Sequence, residues 1–313
     1  MEESGKIQKL MELCSRLPEE NQTYIMNLDK STTTKTIYAY ELIRFNDYMK
    51  EKNKFQGDGA GYSAYKEISY DDIIGYLRAN IEKGNSISTV QRTRTALNGW
   101  FDVLSEIKAV SGNPVCSGKV LENLFWETTG KDPRSVEKKE AVTELSAFMD
   151  TVENGTGLSD TQKKYHEKYR RRDMAMISLI LDTGIRISEV NELNMEDYDR
   201  DYSLLYVRKR AVKIKKETKE RLEQYIDQDR ARASGDGRLS PLFVTSDGSR
   251  LAVRSIQRIL KKYSAAGNIP QVVSAEKLRE ISAEKFYQET GDVQELRNRM
   301  GVKSMTAIEK YIK

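Results

Sequence analysis

The chain has 313 residues, 32% of them charged, and a formal net charge of +4. That length suits two ordinary domains, each burying its own core, and no apolar run approaches the roughly 18 residues of a membrane span. Cys14 and Cys116 are too few for a disulfide framework, and with His166 the sole histidine the usual zinc cluster is excluded, so no metal is expected.

In chain order, the acidic and then amphipathic start MEESGKIQKLMEL lacks the basic region and apolar core of a signal peptide, so a cytoplasmic protein is expected. Residues before about 130 read as helices without strand-type alternation. Ser31 to Thr34 form a polar cap cluster before Ile37, Tyr40, Ile43 or Arg44, and Tyr48, which recur at helical spacing. Ser69 caps a helix carrying Ile73, Ile74 and Leu77. Ser88 precedes a stripe of Val90, Leu97, Trp100, Phe101 and Leu104 that leaves Arg92 and Arg94 on the polar side. Gly112, Asn113 and Pro114 then punctuate the chain, and residues 131–140 read as an exposed, charged linker.

The second half is mixed. Helices are expected over 145–152 and 174–181, the latter interrupted by Gly184. The stretch SLLYVRKRAVKI predicts a hairpin or two short strands, and PLFVTSDGSRL a further strand with an Asp-Gly turn. Helices return over 253–263, 283–288 and 292–300, where Asp292 and Glu295 have capping-box spacing and Gly301 ends the helix. Strands bracketed by helices predict an α+β domain with a small, largely antiparallel sheet.

Charge is concentrated rather than large. RKRAVKIKKETKER, from Arg208 to Arg221, holds eight basic residues against two acidic ones, and KKYHEKYRRRD, from Lys163, holds six basic residues. Both suit a polyanion, although a solvated helix face or strand edge accounts for either taken alone. Arg250, Arg254 and Arg258 recur every four residues, a row of cations for one side of a helix. His166, in a very polar segment, is expected at the surface.

Two segments carry a resemblance. LDTGIRISEVNELNMEDYD, residues 181–199, resembles the first arginine box of the tyrosine recombinase (phage integrase) family, with Arg186 on its catalytic arginine. EKLREISAEKFYQETGDVQELRNRMGVKSMTAIEKYIK resembles that family's final box. Leu278-Arg279 fits the second arginine, Gly291-Asp292 the inter-helix turn, Met300-Gly301 the Leu-Gly step and Tyr311 the nucleophile. The first half is similar more loosely, through its capped helices and Asn113-Pro114.

The resemblance implies a helical, SAM-like core-DNA-binding domain over 1–133 that acts as a clamp, and an α+β catalytic domain over 134–313. It implies site-specific cleavage and rejoining of double-stranded DNA through a 3′-phosphotyrosine at Tyr311, without a cofactor, by a chain that self-associates on DNA as a dimer to tetramer and works at the nucleoid. Arg186 and Arg279 would neutralise charge building on the phosphate oxygens, a task for the planar, permanently charged guanidinium. Pairing with Glu189 or Glu280 is their ordinary alternative. Tyr311 alternatively packs with Ile308 and Ile312. Lys209 is the expected proton donor to the departing 5′-oxygen, with Arg210 and Lys213 as competitors and a nonspecific phosphate contact as its ordinary role.

The family's two histidine-type positions fall on Glu276 and Val302. Glu276 can act as a base toward the tyrosine, while Val302 offers only packing. The sequence ends two residues after Tyr311, where relatives continue into a helix that docks on a neighbouring subunit. Arg92, Arg94, Arg208, Arg210, Arg250, Arg254 and Arg258 are the expected DNA contacts. Two alternatives stand beside the recombinase: a catalytically weak relative that binds DNA as an architectural or regulatory module, and a relaxing enzyme of the type IB topoisomerase kind.

Overall fold

The computed structural model describes residues 2–55, 61–130, 140–230, 240–270, 272–309 and 311–312. The chain divides into two compact units, Met1–Val136 and Glu137–Lys313. The expected linker at 131–140 lies outside the described residues, apart from Glu140, where a helix begins.

The first unit contains α1 (Glu2–Cys14), α2 (Glu19–Asn27), α3 (Thr32–Glu51), a short 3-10 turn (Ala64–Glu67), α4 (Tyr70–Glu82), α5 (Ile87–Glu106) and α6 (Gly118–Thr129). Serine caps start four of these helices. Ser31, Ser69, Ser86 and Ser117 each accept from the backbone N–H three residues on, satisfying donors that a helix leaves unpaired. The cap of α5 is Ser86, and Ser88 lies in its first turn. Val90, Leu97, Trp100, Phe101 and Leu104 are buried together, as their spacing predicts. On α3 the deep face is instead Leu42, Phe45 and Met49, with Ile37, Tyr40 and Tyr48 only partly covered. A buried polar knot sits in this core: the Tyr65 hydroxyl lies 3.0 Å from Asn21 Oδ1 and 2.8 Å from Asn46 Oδ1.

The second unit contains α7 (Glu140–Asn154), α8 (Asp160–Thr183), α9 (Ile187–Glu192), β1 (Tyr198–Asp199), β2 (Leu204–Val207), β3 (Arg210–Lys213), α10 (Lys216–Gln224), α11 (Val253–Ala266), α12 (Ala275–Thr290), α13 (Val293–Met300) and α14 (Met305–Glu309). The strands form an antiparallel sheet in the order β1-β2-β3. Val207 pairs with Arg210, leaving a two-residue turn whose first residue, Arg208, has a φ of +54°. Leu205, Val207 and Val212 face the core while Tyr206 is exposed, the alternation of a sheet covered on one side. Among the described residues, no helix is long and apolar enough to cross a membrane.

Three expectations need correction. PLFVTSDGSRL makes only isolated bridges, Asn194 with Pro241 and Val244 with Arg250, around the Asp247-Gly248 turn. Its carbonyls are met by guanidinium groups, Arg230 on Pro241 and Arg172 on Val244, so no neighbouring strand is required. His166 is buried, not a surface residue: it is 5% exposed, with Nε2 2.9 Å from the Val152 carbonyl and its ring edge against Tyr263. The cause is the length of α8, whose Ser159/Gln162 capping box starts it at Asp160 and turns His166 onto the face of Asp173, two turns further on. Arg250, finally, precedes α11 and does not extend the row of Arg254 and Arg258.

Candidate active site

The site grows from the end of α8. Gly184 caps that helix with a φ of +66°, a conformation that favours glycine. A Cβ there would also sit 3.3 Å from Met300 Cγ and from Ser282 Oγ, so α12 and α13 both close on this turn. Two residues on, the Arg186 N–H donates to Glu189 Oε2 at 2.8 Å and opens α9. The Arg186 side chain is 42% exposed; its Nη1 lies 3.7 Å from Glu189 Oε1, 3.2 Å from the Gly301 carbonyl and 3.4 Å from the Met300 carbonyl.

Ser274 caps α12, which starts eight residues earlier than the sequence pattern suggests. Glu276 and Arg279 thereby fall one turn apart on one face. Arg279 is 2% exposed and donates through Nη1 to the Gly184 carbonyl. Its Nε stands 3.4 Å from Glu276 Oε2, an ion-pair distance without hydrogen-bond geometry. The partner is thus Glu276 and not Glu280, which lies 3.8 Å from Lys277.

Tyr311 follows α14. It is buried in a small cluster with Ala283, Leu296, Met300 and Ile308, and its hydroxyl donates to Glu276 Oε1 at 2.6 Å. Packing and polar contact therefore coexist on one ring. Val302 is partly buried against the same cluster. Arg186, Glu276, Arg279 and Tyr311 form a connected set, running from the Gly184–Arg186 turn through Arg279 and Glu276 to the phenol.

Glu189 organises the other side and was visible in the sequence only as an ordinary partner for Arg186. Its carboxylate, 2% exposed, takes Arg210 Nη1 and Nη2 on its two oxygens at 2.9 Å each. Burial pushes its pKa up, but the hydrogen bonds from Arg210 and from the Arg186 N–H, with both positive charges, outweigh that and hold it below the usual carboxylate range. Arg299 adds a tie from α13, donating to the carbonyls of Asp182 at 2.8 Å and Lys213 at 3.2 Å. The i,i+3 spacing of Arg186 and Glu189 was the available signal for the carboxylate. Nothing local marks Arg210 or Arg299.

The remaining cations sort by their partners. Of Arg208, Lys209 and Arg210, only Lys209 has no ion pair among the described residues: Arg208 forks onto Glu192 with two 3.0 Å contacts, and Arg210 is held by Glu189. Arg94 donates to the Cys116 carbonyl at 2.7 Å. Arg250 donates to the carbonyls of Asn191 at 2.6 Å and Leu193 at 2.9 Å. Arg92, 3.5 Å from Glu41, is exposed, as are Arg254 and Arg258. Among the described residues, no group of three or more histidine, cysteine or acidic side chains could hold a metal ion.

Residues 143–313 match the Phage integrase family. The chain belongs to that family of tyrosine recombinases. This integrase-family chain is 24% identical over 299 residues to tyrosine recombinase XerC of Syntrophus aciditrophicus, covering 91% of this chain and 89% of that one. It is 27% identical over 315 residues to tyrosine recombinase XerS of Streptococcus equi subsp. zooepidemicus, covering 91% and 88%. In fold it is similar to the Tn1549 transposon integrase in complex with circular intermediate DNA, with a TM-score of 0.68 at 15% identity over 96% of this chain and 95% of that one. It is similar too to the XerH recombinase bound to a palindromic difH substrate, with a TM-score of 0.62 at 18% identity over 97% and 90%. A mostly helical chain with a small three-stranded antiparallel sheet is the fold class that the sequence predicts.

Proposed function

We propose that this chain is a site-specific DNA recombinase whose catalytic domain, over 134–313, breaks and rejoins a phosphodiester through Tyr311, while the helical domain over 1–133 grips the duplex. The observation that carries this reading is the Tyr311–Glu276–Arg279 connection: a phenol, a proton acceptor and a buried guanidinium meet within one small cluster. In the forward step the Tyr311 oxygen forms a bond to phosphorus and the bond from phosphorus to the 5′-oxygen breaks. Glu276 takes the phenolic proton, and Lys209 supplies one to the 5′-oxygen. Arg186 and Arg279 face the charge on the non-bridging oxygens. The stored phosphotyrosine makes religation independent of a nucleotide cofactor.

Arg254 and Arg258 are the cations best placed to meet phosphates, since they are exposed and no carboxylate pairs with them among the described residues; Arg92 is exposed too but shares the Glu41 carboxylate. Arg94, Arg208, Arg210 and Arg250 serve the protein's own backbone and carboxylates first. A double-stranded recombination site is the partner, with two to four copies assembling on it at the nucleoid of the cytoplasm.

A nicked suicide duplex tests the reading: the wild-type chain becomes trapped on DNA and runs slowly on a denaturing gel, and Tyr311→Phe abolishes that band. A second reading rests on the Glu276–Arg279 pair, because a carboxylate that stays on Arg279 competes with a phosphate. The chain then acts as a DNA-binding module. Tight binding of the same duplex with no adduct would select it.

A further inference from the structure

The side chain of Arg210 does not reach outward from β3 toward a ligand. It is 11% exposed, and three of its N–H groups are engaged by the protein: two on Glu189 of α9, and Nε on the Arg299 carbonyl of α13 at 3.2 Å. Arg186 reaches the next two carbonyls of the same helix end, Met300 and Gly301. Two guanidinium groups thus gather three consecutive carbonyls that a helix terminus leaves without intrahelical donors. Gly301 fits the same arrangement. It has a φ of +61°, and a Cβ there would stand 2.7 Å from Arg210 Cζ and Nη1, a clash that a guanidinium fixed by a buried carboxylate cannot relieve by swinging away.

The end of α13 is where the path to Tyr311 begins. Met300 packs in the same cluster as Tyr311, and only α14 intervenes along the chain. The geometry points to Arg210 as a positioning residue for Tyr311: it latches the end of α13 to Glu189, and so sets where the tyrosine-bearing segment starts relative to Arg186. A fork is required, because a lysine at this place can serve either the carboxylate or the carbonyl but not all three acceptors in their fixed directions. Arg186, more exposed and at longer distances, can exchange its two carbonyls for a phosphate while Arg210 holds the helix end in place.

The inference rests on the recombinase reading, and its test has one arm that does not. In the free chain, Arg210→Gln accelerates amide hydrogen exchange over 302–309 at least tenfold, while α8 and β2 keep their protection. Gly301→Ala does the same with Arg210 intact, and Arg210→Lys gives a smaller change of the same sign. On the nicked duplex at saturating protein, Arg210→Gln slows adduct formation tenfold or more with unchanged DNA affinity. A substrate whose 5′-bridging oxygen is replaced by sulfur, a leaving group that needs no proton donor, does not restore the rate.

Unchanged exchange over 302–309 overturns the latch. Restoration by the sulfur substrate overturns it in favour of Arg210 as the proton donor, and a parallel loss of DNA affinity in favour of a phosphate contact. If the wild-type chain forms no adduct at all, the recombinase reading fails while the exchange arm still decides the latch.

Discussion

Tyr311 donates a 2.6 Å hydrogen bond to Glu276, a residue 35 positions away in the chain. A phenol on a carboxylate is a short, charge-assisted contact, and here it is held by the packing of α12, α13 and α14. Glu276→Gln keeps the shape and removes the proton acceptor. Single-turnover cleavage should slow by about a hundredfold, within the range for a lost general base, and should become more dependent on hydroxide. Equal rates for the two proteins would remove Glu276 from the chemistry.

Arg279 joins Glu276 to the Gly184 carbonyl from a buried position. Arg279→Met leaves the Gly184 carbonyl without its donor and removes the ion pair with Glu276, and the loss should be about 1.5–3 kcal/mol of stability, the range for a hydrogen bond involving a charged group, measured by urea unfolding. Arg279→Lys should retain more of the stability and still lose about a hundredfold in cleavage, because a single ammonium does not reproduce the fork. A lysine variant that cleaves at the wild-type rate would show that Arg279 serves the fold alone.

Gly184 combines a left-handed backbone with close neighbours on two helices. Gly184→Ala should cost about 1–2 kcal/mol for the conformation alone, seen as a lower melting temperature. Adduct formation should fall with it, since the carbonyl that anchors Arg279 belongs to this residue. A melting temperature within error of the wild type would contradict the argument.

Glu189 has its pKa held below the ordinary glutamate value of 4.5 by Arg210 and Arg186. A carboxyl depressed in the folded state contributes stability that is fully present above its unfolded pKa and is lost as pH falls through the folded one. The stability gap between the wild type and Glu189→Gln should therefore be widest near pH 7 and should narrow below about pH 4.5. Urea midpoints at pH 7, 4 and 3 measure it, and a gap that stays constant would contradict the assignment.

The elements legible in the sequence were those whose apolar residues keep one phase over several turns. Leu97, Trp100, Phe101 and Leu104 mark α5 because nothing in that helix competes with the stripe. The first half of α8 was hidden because Lys163, Lys164, Lys168, Arg170 and Arg171 mask the periodicity, and His166 was misplaced with it. The first two turns of α12 were missed for a like reason, since AEKLRE is mostly charged. At the site, Arg186, Arg279 and Tyr311 were legible through spacing within two motifs. The roles of Glu189 and Arg210 were not, because that contact joins α9 to β3 across a fold that no local pattern encodes.

The two units have separate cores: Trp100, Phe45 and Leu42 in the first, and Ile177, Leu205 and Leu260 in the second. Among the described residues, no side chain is shared between those clusters. Repacking inside one core therefore asks for no matching change inside the other. On the proposed division of labour, a lineage could acquire a new target sequence by remodelling the helical half while the chemistry of the tyrosine-bearing half stays as it was.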